Sequence, residues 1–160
     1  MICYKKASLE ELEALWDREI AENPDDDRYL RWKDSFLQRN RSCRAATFLI
    51  LADGEPIGQV TLDRYADGYS GNRAPLADGV TTAYVNSLRI AQEYQGQGYV
   101  SGLMHFMENW ARNQGFAFLT IGAEADNSHN LAIYRHWGYN KFRMMETDDG
   151  IPVLFYAKEL

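Results

Sequence analysis

Residues Gln95-Gly96-Gln97-Gly98-Tyr99-Val100-Ser101 place two glycines one residue apart, between a strand-like run from Tyr84 and a helix-like run ending at Gln114. In the second run Val100, Leu103, Met104, Met107 and Trp110 recur at helical spacing, and Gly115 stands where a helix cap is expected. A strand that feeds a tight turn and then a helix has a definite chemistry. The first turn of a helix carries backbone N–H groups without internal partners, and the helix dipole adds partial positive charge there, so such a turn seats phosphate. Gly96 and Gly98 have no β-carbon and can take positive φ, which lets an anion come close to the backbone. Gly102, one turn later, allows the helix to pack closely on a sheet. Two other phosphate motifs are excluded. No G-x-x-x-x-G-K-[ST] is present, and Ser101 stands in place of the third glycine of a dinucleotide fingerprint, in a motif that lies past mid-chain.

A second chemistry-bearing stretch is Asn127-Ser-His-Asn130-Leu-Ala-Ile-Tyr134-Arg-His-Trp-Gly138-Tyr139. Tyr134 falls on an amphipathic helix, where it can be a core aromatic or a proton donor.

Together the two stretches resemble the GNAT N-acetyltransferase superfamily. The glycine turn is similar to its motif A, Q/R-x-x-G-x-G/A: Gln95 and Gly98 match, and Val100 departs from it. The later stretch is similar to motif B, an Asn followed seven residues later by Tyr and then by Gly-Phe or Gly-Tyr. The resemblance covers the C-terminal half of the core fold. It implies an α/β (α+β) GNAT fold, a mixed central sheet of about seven strands with strands four and five splayed, flanked by about four helices. It also implies acetyl-CoA as cosubstrate. The backbone around Gln95, Gly96, Gln97, Gly98, Tyr99, Val100 and Ser101 would hold the pyrophosphate; Leu88, Arg89 and Ile90 of the fourth strand would line the pantetheine arm, Leu88 and Ile90 through their backbone. Asn127, Asn130 and Tyr134 complete the implied cofactor set, with Tyr134 protonating the departing thiolate.

An amine must then attack the thioester directly, and it must be neutral, whereas a free alkylamine with a pKa near ~10 is protonated at neutral pH. A base or a desolvating pocket is required. Several family members use a glutamate on the fourth strand, but Asn86 stands near that place here and cannot act as a base. Glu124 and Asp126, at the end of the fifth strand, are the substitutes, with Glu124 preferred; Glu93 is expected to face solvent. The implied activity is transfer of an acetyl group to a primary amine of a small molecule or peptide. Asn86 and Val100 favour the alternative, a non-catalytic acyl-CoA binding or sensor domain.

Composition agrees with one domain over residues 1–160. Hydrophobic residues make up 46% and charged residues 25%, too apolar for disorder. The net charge of −6, without a basic run, argues against nucleic acid and favours a cationic acceptor. No apolar run reaches membrane-spanning length, and Met1–Lys6 lacks the layout of a secretion signal, so no membrane partner and a cytoplasmic location are expected. Cys3 and Cys43 are read as free thiols; His105, His129 and His136 lack ligand spacing, so no metal is expected. Oligomeric state is open, a homodimer included.

The remaining elements follow in order. Ser8 and Glu11 form a capping box for a helix with Leu9, Leu12, Leu15 and Trp16 inward, ended by the run Asn23 to Asp27. A second helix spans Arg28 to about Asn40 with Leu30, Phe36 and Leu37 inward. The intervening aspartates read as a solvated loop that stops one helix and caps the next, or as a lure for a basic substrate. Asp53-Gly54 joins a hairpin, and a long loop from Arg64 to Thr82 carries Tyr65, Tyr69 and Arg73, which could line a substrate mouth. A buried strand begins near Phe116, the Asn127 helix stops at Trp137-Gly138, and the turn Asp148-Asp149-Gly150 sits in a closing hairpin. The expected order is β-α-α-β-β-β-α-β-α-β-β.

Overall fold

Each boundary has a local cause, and the order of elements is the expected one. The computed structural model describes residues 1–66 and 73–160. Its elements are β1 (Ile2–Lys6), α1 (Leu9–Glu22), α2 (Arg28–Arg41), β2 (Ala45–Ala52), β3 (Glu55–Asp63), β4 (Thr82–Ile90), α3 (Tyr99–Asn113), β5 (Phe118–Glu124), α4 (Ser128–His136), β6 (Lys141–Asp148) and β7 (Ile151–Glu159). The strands form one mixed sheet in the order β1-β2-β3-β4-β5-β7-β6. By contacts the chain divides into two compact units, Met1–Thr61 with Ser87–Phe106, and Leu62–Asn86 with Met107–Leu160.

In the first unit, the capping box at Ser8 is formed in both directions: Glu11 N donates to Ser8 Oγ at 3.1 Å, and Ser8 N donates to Glu11 Oε1 at 3.0 Å. Leu12, Leu15, Trp16, Phe36 and Leu49 make its core cluster, with Tyr29, Trp32 and Leu37 packed against it. Two leucines depart from expectation. Leu9 is 41% and Leu30 is 54% exposed. Leu9 sits in the first turn of α1, ahead of the buried face, and Leu30 loses its place to the aromatic stripe Tyr29, Trp32, Phe36, whose rings meet Trp16 and each other. Nor does Asp27 cap α2 with its side chain; Asp26 instead accepts from the backbone and guanidinium of Arg28. The β2–β3 hairpin turns at Asp53 and Gly54, both at positive φ (49° and 87°), as a two-residue turn of this hand requires. Gly102 has the packing role its position suggested: a Cβ there would overlap the Tyr4 phenol of β1.

In the second unit, β4 runs parallel to β5 through Thr82–Tyr84 against Phe118–Thr120, the first three residues of each. Three residues beyond Tyr84, Ser87, which belongs to the first unit, takes φ 55° within β4. The loop before β4 is more ordered at its end than its composition suggested. Leu76, in a 3-10 turn over Ala74–Leu76, is fully buried, and Tyr65 bridges Asp78. The Asp78 carboxylate gathers the amides of Val80, Thr81 and Thr82 at 2.7 to 2.9 Å and so sets the entry into β4. Burial opposes its ionisation, but these bonds and that of the Thr81 hydroxyl outweigh it and hold the carboxyl well below its usual range. The closing hairpin turns at Asp149 and Gly150, again both at positive φ.

Candidate active site

In the first unit, β4 ends at Ile90, and Ala91 is tied to β3 by its amide on Ile57 O at 2.8 Å. A 3-10 turn, Gln92–Tyr94, then leads to the exposed residues Gln95–Gly98 and the start of α3. Gly96 has φ 74° and Gly98 φ 82°, and a Cβ added to either would meet nothing within 4 Å. Both glycines are therefore needed for the backbone path, and the space over them is open. Gly98 O accepts the first helical bond of α3, from Gly102 N at 3.2 Å, which leaves the preceding amides as the unpaired first-turn donors. The side chains of Gln95 and Gln97 fold back onto Ile90 O and Glu93 O, at 3.4 and 3.2 Å, and brace the turn. Tyr99, Val100 and Ser101 are half-buried. This cradle fits an anion held by backbone groups. Leu88 and Ile90 are half-buried, whereas Arg89 is exposed and its guanidinium lies 3.7 Å from Glu19 of α1.

In the second unit, Asn127 caps α4, its side chain accepting from Asn130 N at 3.0 Å. At the other end Gly138, at φ 99°, ends the helix: Gly138 N donates to Arg135 O and Tyr139 N to Tyr134 O, at 3.0 and 2.9 Å. These two ends fix the helix that carries Tyr134. Its ring is half-buried, 5.9 Å from that of Trp137, and its hydroxyl meets no hydrogen-bond partner among the described residues. Burial raises the Tyr134 pKa, so the phenol keeps its proton at neutral pH. Glu124 closes β5 opposite Val153 of β7, and both it and Asp126 are exposed.

Three features of this unit were missed by sequence reasoning. Asp63, fully buried at the end of β3, accepts from Asn86 Nδ2 at 3.2 Å. A carboxylate thus stands one strand away from the position where the sequence carries only an amide. Arg73, which the loop composition marked for a substrate mouth, is instead paired with Glu146 at 2.6 Å and lies over the Phe155 ring. Tyr65 is partly exposed, and Tyr69 lies outside the described residues. Glu108, 1% exposed on α3, accepts from the Tyr139 hydroxyl at 3.0 Å and from Lys158 Nζ at 2.8 Å. Its position was legible in principle, since it falls on the stripe of Met104, Met107 and Ala111, where a charge demands a partner. Among the described residues no group of three or more His, Cys, Asp or Glu is placed to share a metal ion, and no helix is long and apolar enough to cross a membrane.

Two buried phenols give the unit a pH signature. Burial pushes Tyr84 up to about 12; the Arg73 cation opposes this, and the Asp63 carboxylate adds to it. Tyr139 is raised as well, by burial first and then by Glu108. An unfolded tyrosine titrates near ~10, so the stability these neutral phenols contribute is complete below that pH and is lost as pH rises toward their folded values. Urea denaturation is expected to give no loss from these phenols between neutral pH and pH ~10 and a decline above it, with about 3 kcal/mol from Tyr84, and Tyr84→Phe should remove that share.

A family model described as "Acetyltransferase (GNAT) family" matches residues 8–139. The chain belongs to the GNAT acetyltransferase family. No curated protein sequence matches it. Among solved structures, a ribosomal-protein-alanine N-acetyltransferase from Brucella melitensis is similar at TM-score 0.70 and 16% identity, with 99% of each chain covered. The PaiA N-acetyltransferase from Thermoplasma acidophilum, in complex with coenzyme A, is similar at 0.66 and 20%, covering 100% of this chain and 99% of that one. A GNAT family acetyltransferase from Elizabethkingia anophelis with acetyl-CoA bound is similar at 0.63 and 16%, covering 99% and 98%. At these identities the likeness is one of fold. The mixed seven-strand sheet with its parallel β4–β5 pair matches the GNAT fold.

Proposed function

We propose that this GNAT protein is an acetyl-CoA dependent N-acetyltransferase that acts, as a single domain in the cytoplasm, on a primary amine of a small molecule or peptide. The observation that carries the proposal is the open cradle of Gly96 and Gly98 at the start of α3, shaped for a phosphate held by backbone amides. Acetyl-CoA supplies the acetyl thioester and leaves as the thiol. In this reading the turn from Gln95 to Ser101 holds the pyrophosphate through its backbone amides, and Asn127 and Asn130 are assigned to the cofactor. The backbone of Leu88 and Ile90, beside Arg89, pairs with the pantetheine amides as a strand would. The acceptor nitrogen forms the C–N bond as the C–S bond breaks. Its proton passes to a carboxylate, and Tyr134 gives its own proton to the sulfur.

Two carboxylates are available for the acceptor proton. Glu124 is in contact with solvent at the strand end, and we assign it the base. Asp63 gives a second reading, because its bond to Asn86 brings a buried carboxylate to the strand position that an amide occupies. Thiol release from acetyl-CoA with a panel of diamines, amino acids and peptides tests the whole proposal, and the two variants separate the bases. If Glu124 is the base, Glu124→Gln lowers kcat/KM by roughly 10² or more, while Asp63→Asn acts on thermal stability alone. The reverse pattern moves the role to Asp63. Acetyl-CoA binding with no turnover on any amine would favour the sensor reading, which Asn86 and Val100 support.

A further inference from the structure

Gly102 stands in the first turn of α3, where its amide donates to Gly98 O and so closes the set of free donors that makes the phosphate seat. Glycine is, after proline, the residue least suited to a helix interior, and Gly102 has no positive φ that would require one. What requires it is Tyr4 of β1. A Cβ on Gly102 would overlap the Tyr4 hydroxyl and stand 2.5 Å from Tyr4 Cζ, closer than side-chain carbons pack. The ring that fills this space is itself held. Phe106, one turn further along α3, stacks on it with centroids 6.4 Å apart, and Phe106 in turn meets the fully buried Phe48 of β2 edge-on at 6.0 Å. Tyr99, the first residue of α3, is near as well: after burial, its phenol is the second cause of the raised Tyr4 pKa. β1 is fixed in turn by its register on β2, from Ile2 opposite Ala52 to Lys6 opposite Phe48. All of these residues lie in the first unit, together with the glycine turn.

We propose that Tyr4 and Gly102 form a positioning contact that sets the place of the phosphate-binding turn over the sheet, and through it the affinity for acetyl-CoA. The inference rests on the phosphate seat proposed above. The donors concerned are the amides of Tyr99, Val100 and Ser101, which lie within three residues of Gly102, so a shift of that residue moves them with it. Hydrogen bonds to an anion weaken steeply when donors leave their line. β1 touches no part of the cofactor in this account, and Tyr4 acts only through the helix it supports.

Calorimetric titration of the full chain with acetyl-CoA reads the contact. Helix propensity alone predicts that Gly102→Ala is slightly more stable and binds as the parent does. The positioning contact predicts a Kd raised roughly tenfold or more, with KM for acetyl-CoA rising and kcat at saturation kept within about twofold. Tyr4→Leu removes Cζ and the hydroxyl. Joined to Gly102→Ala, it should bring Kd back to within about threefold of the parent, whereas Tyr4→Phe, which leaves Cζ in place, should not. Tyr4→Leu alone takes away the same stop without crowding the helix, and its Kd should rise about threefold, which keeps the test open should Gly102→Ala fail to fold. Thermal unfolding of each variant shows that it is folded at the temperature of titration. A parent-like Kd in the two single variants, or a Leu-bearing double variant that binds no better than Gly102→Ala, would overturn the positioning contact while leaving the phosphate seat in place. Absence of acetyl-CoA binding by the parent would overturn both.

Discussion

Replacing Tyr134 by Phe is expected to lower kcat by roughly 10²- to 10⁴-fold, the usual range for a positioned general acid. The affinity for acetyl-CoA should stay within about twofold, since the ring remains and only a hydroxyl that meets no partner among the described residues is lost. Burial raises the phenol pKa, so the acid is in its working, protonated form across the neutral range, and the rate should fall only above pH ~10. That alkaline limb should be missing in the variant. The caps at Asn127 and Gly138 keep the helix in place without the hydroxyl, so stability should be little changed. A kcat reduced by less than about threefold would show that water or another group protonates the thiolate.

The largest loss of stability is expected from Glu108→Ala. Glu108 is the shared acceptor for Tyr139 at the end of α4 and Lys158 of β7, in a site where it is 1% exposed and the Lys158 side chain is 18% exposed. Its removal leaves a buried hydroxyl and a largely buried ammonium without that carboxylate, a change that costs about 3–5 kcal/mol for a broken buried pair. The melting temperature should drop by roughly 10 °C. Glu108→Gln keeps an acceptor for Tyr139 and should cost less. The double variant Glu108→Leu with Lys158→Met removes both charges and should recover most of the loss, because a buried ion pair replaced by apolar groups of similar size is often near neutral. If Glu108→Ala melts within about two degrees of the parent, Lys158 reaches water without penalty and the three residues do not act as one network.

What could be read from the sequence was what neighbours in the chain decide. Ser8 with Glu11, Asp53-Gly54, Gly115, Gly138 and Asp149-Gly150 mark element ends through bonds or φ values that involve a few consecutive residues. The glycine turn and the Asn127 helix were legible for the same reason, and with them the family. What depends on partners distant in the chain was not. Leu30 has the period of a core residue, but the rings of Tyr29 and Phe36 pack with Trp16, and Trp32 with Tyr29, a choice made between two helices. Asp63 reads as a strand terminus until β4 brings Asn86 beside it. Arg73 reads as a loop cation until β6 brings Glu146 to it. Gln59 lies in an ordinary alternating strand, and its unpaired oxygen exists only because α1 covers that face.

The cradle at Gly96 and Gly98 carries the account, and titration of the protein with acetyl-CoA in a calorimeter tests it most directly. Saturable one-to-one binding is predicted for the parent chain, with little or none for Gly98→Val, whose side chain would occupy the open space and whose backbone would be strained at φ 82°. Absence of binding up to about 1 mM, the upper end of the usual KM range, would contradict the phosphate seat and the acetyl transfer built on it.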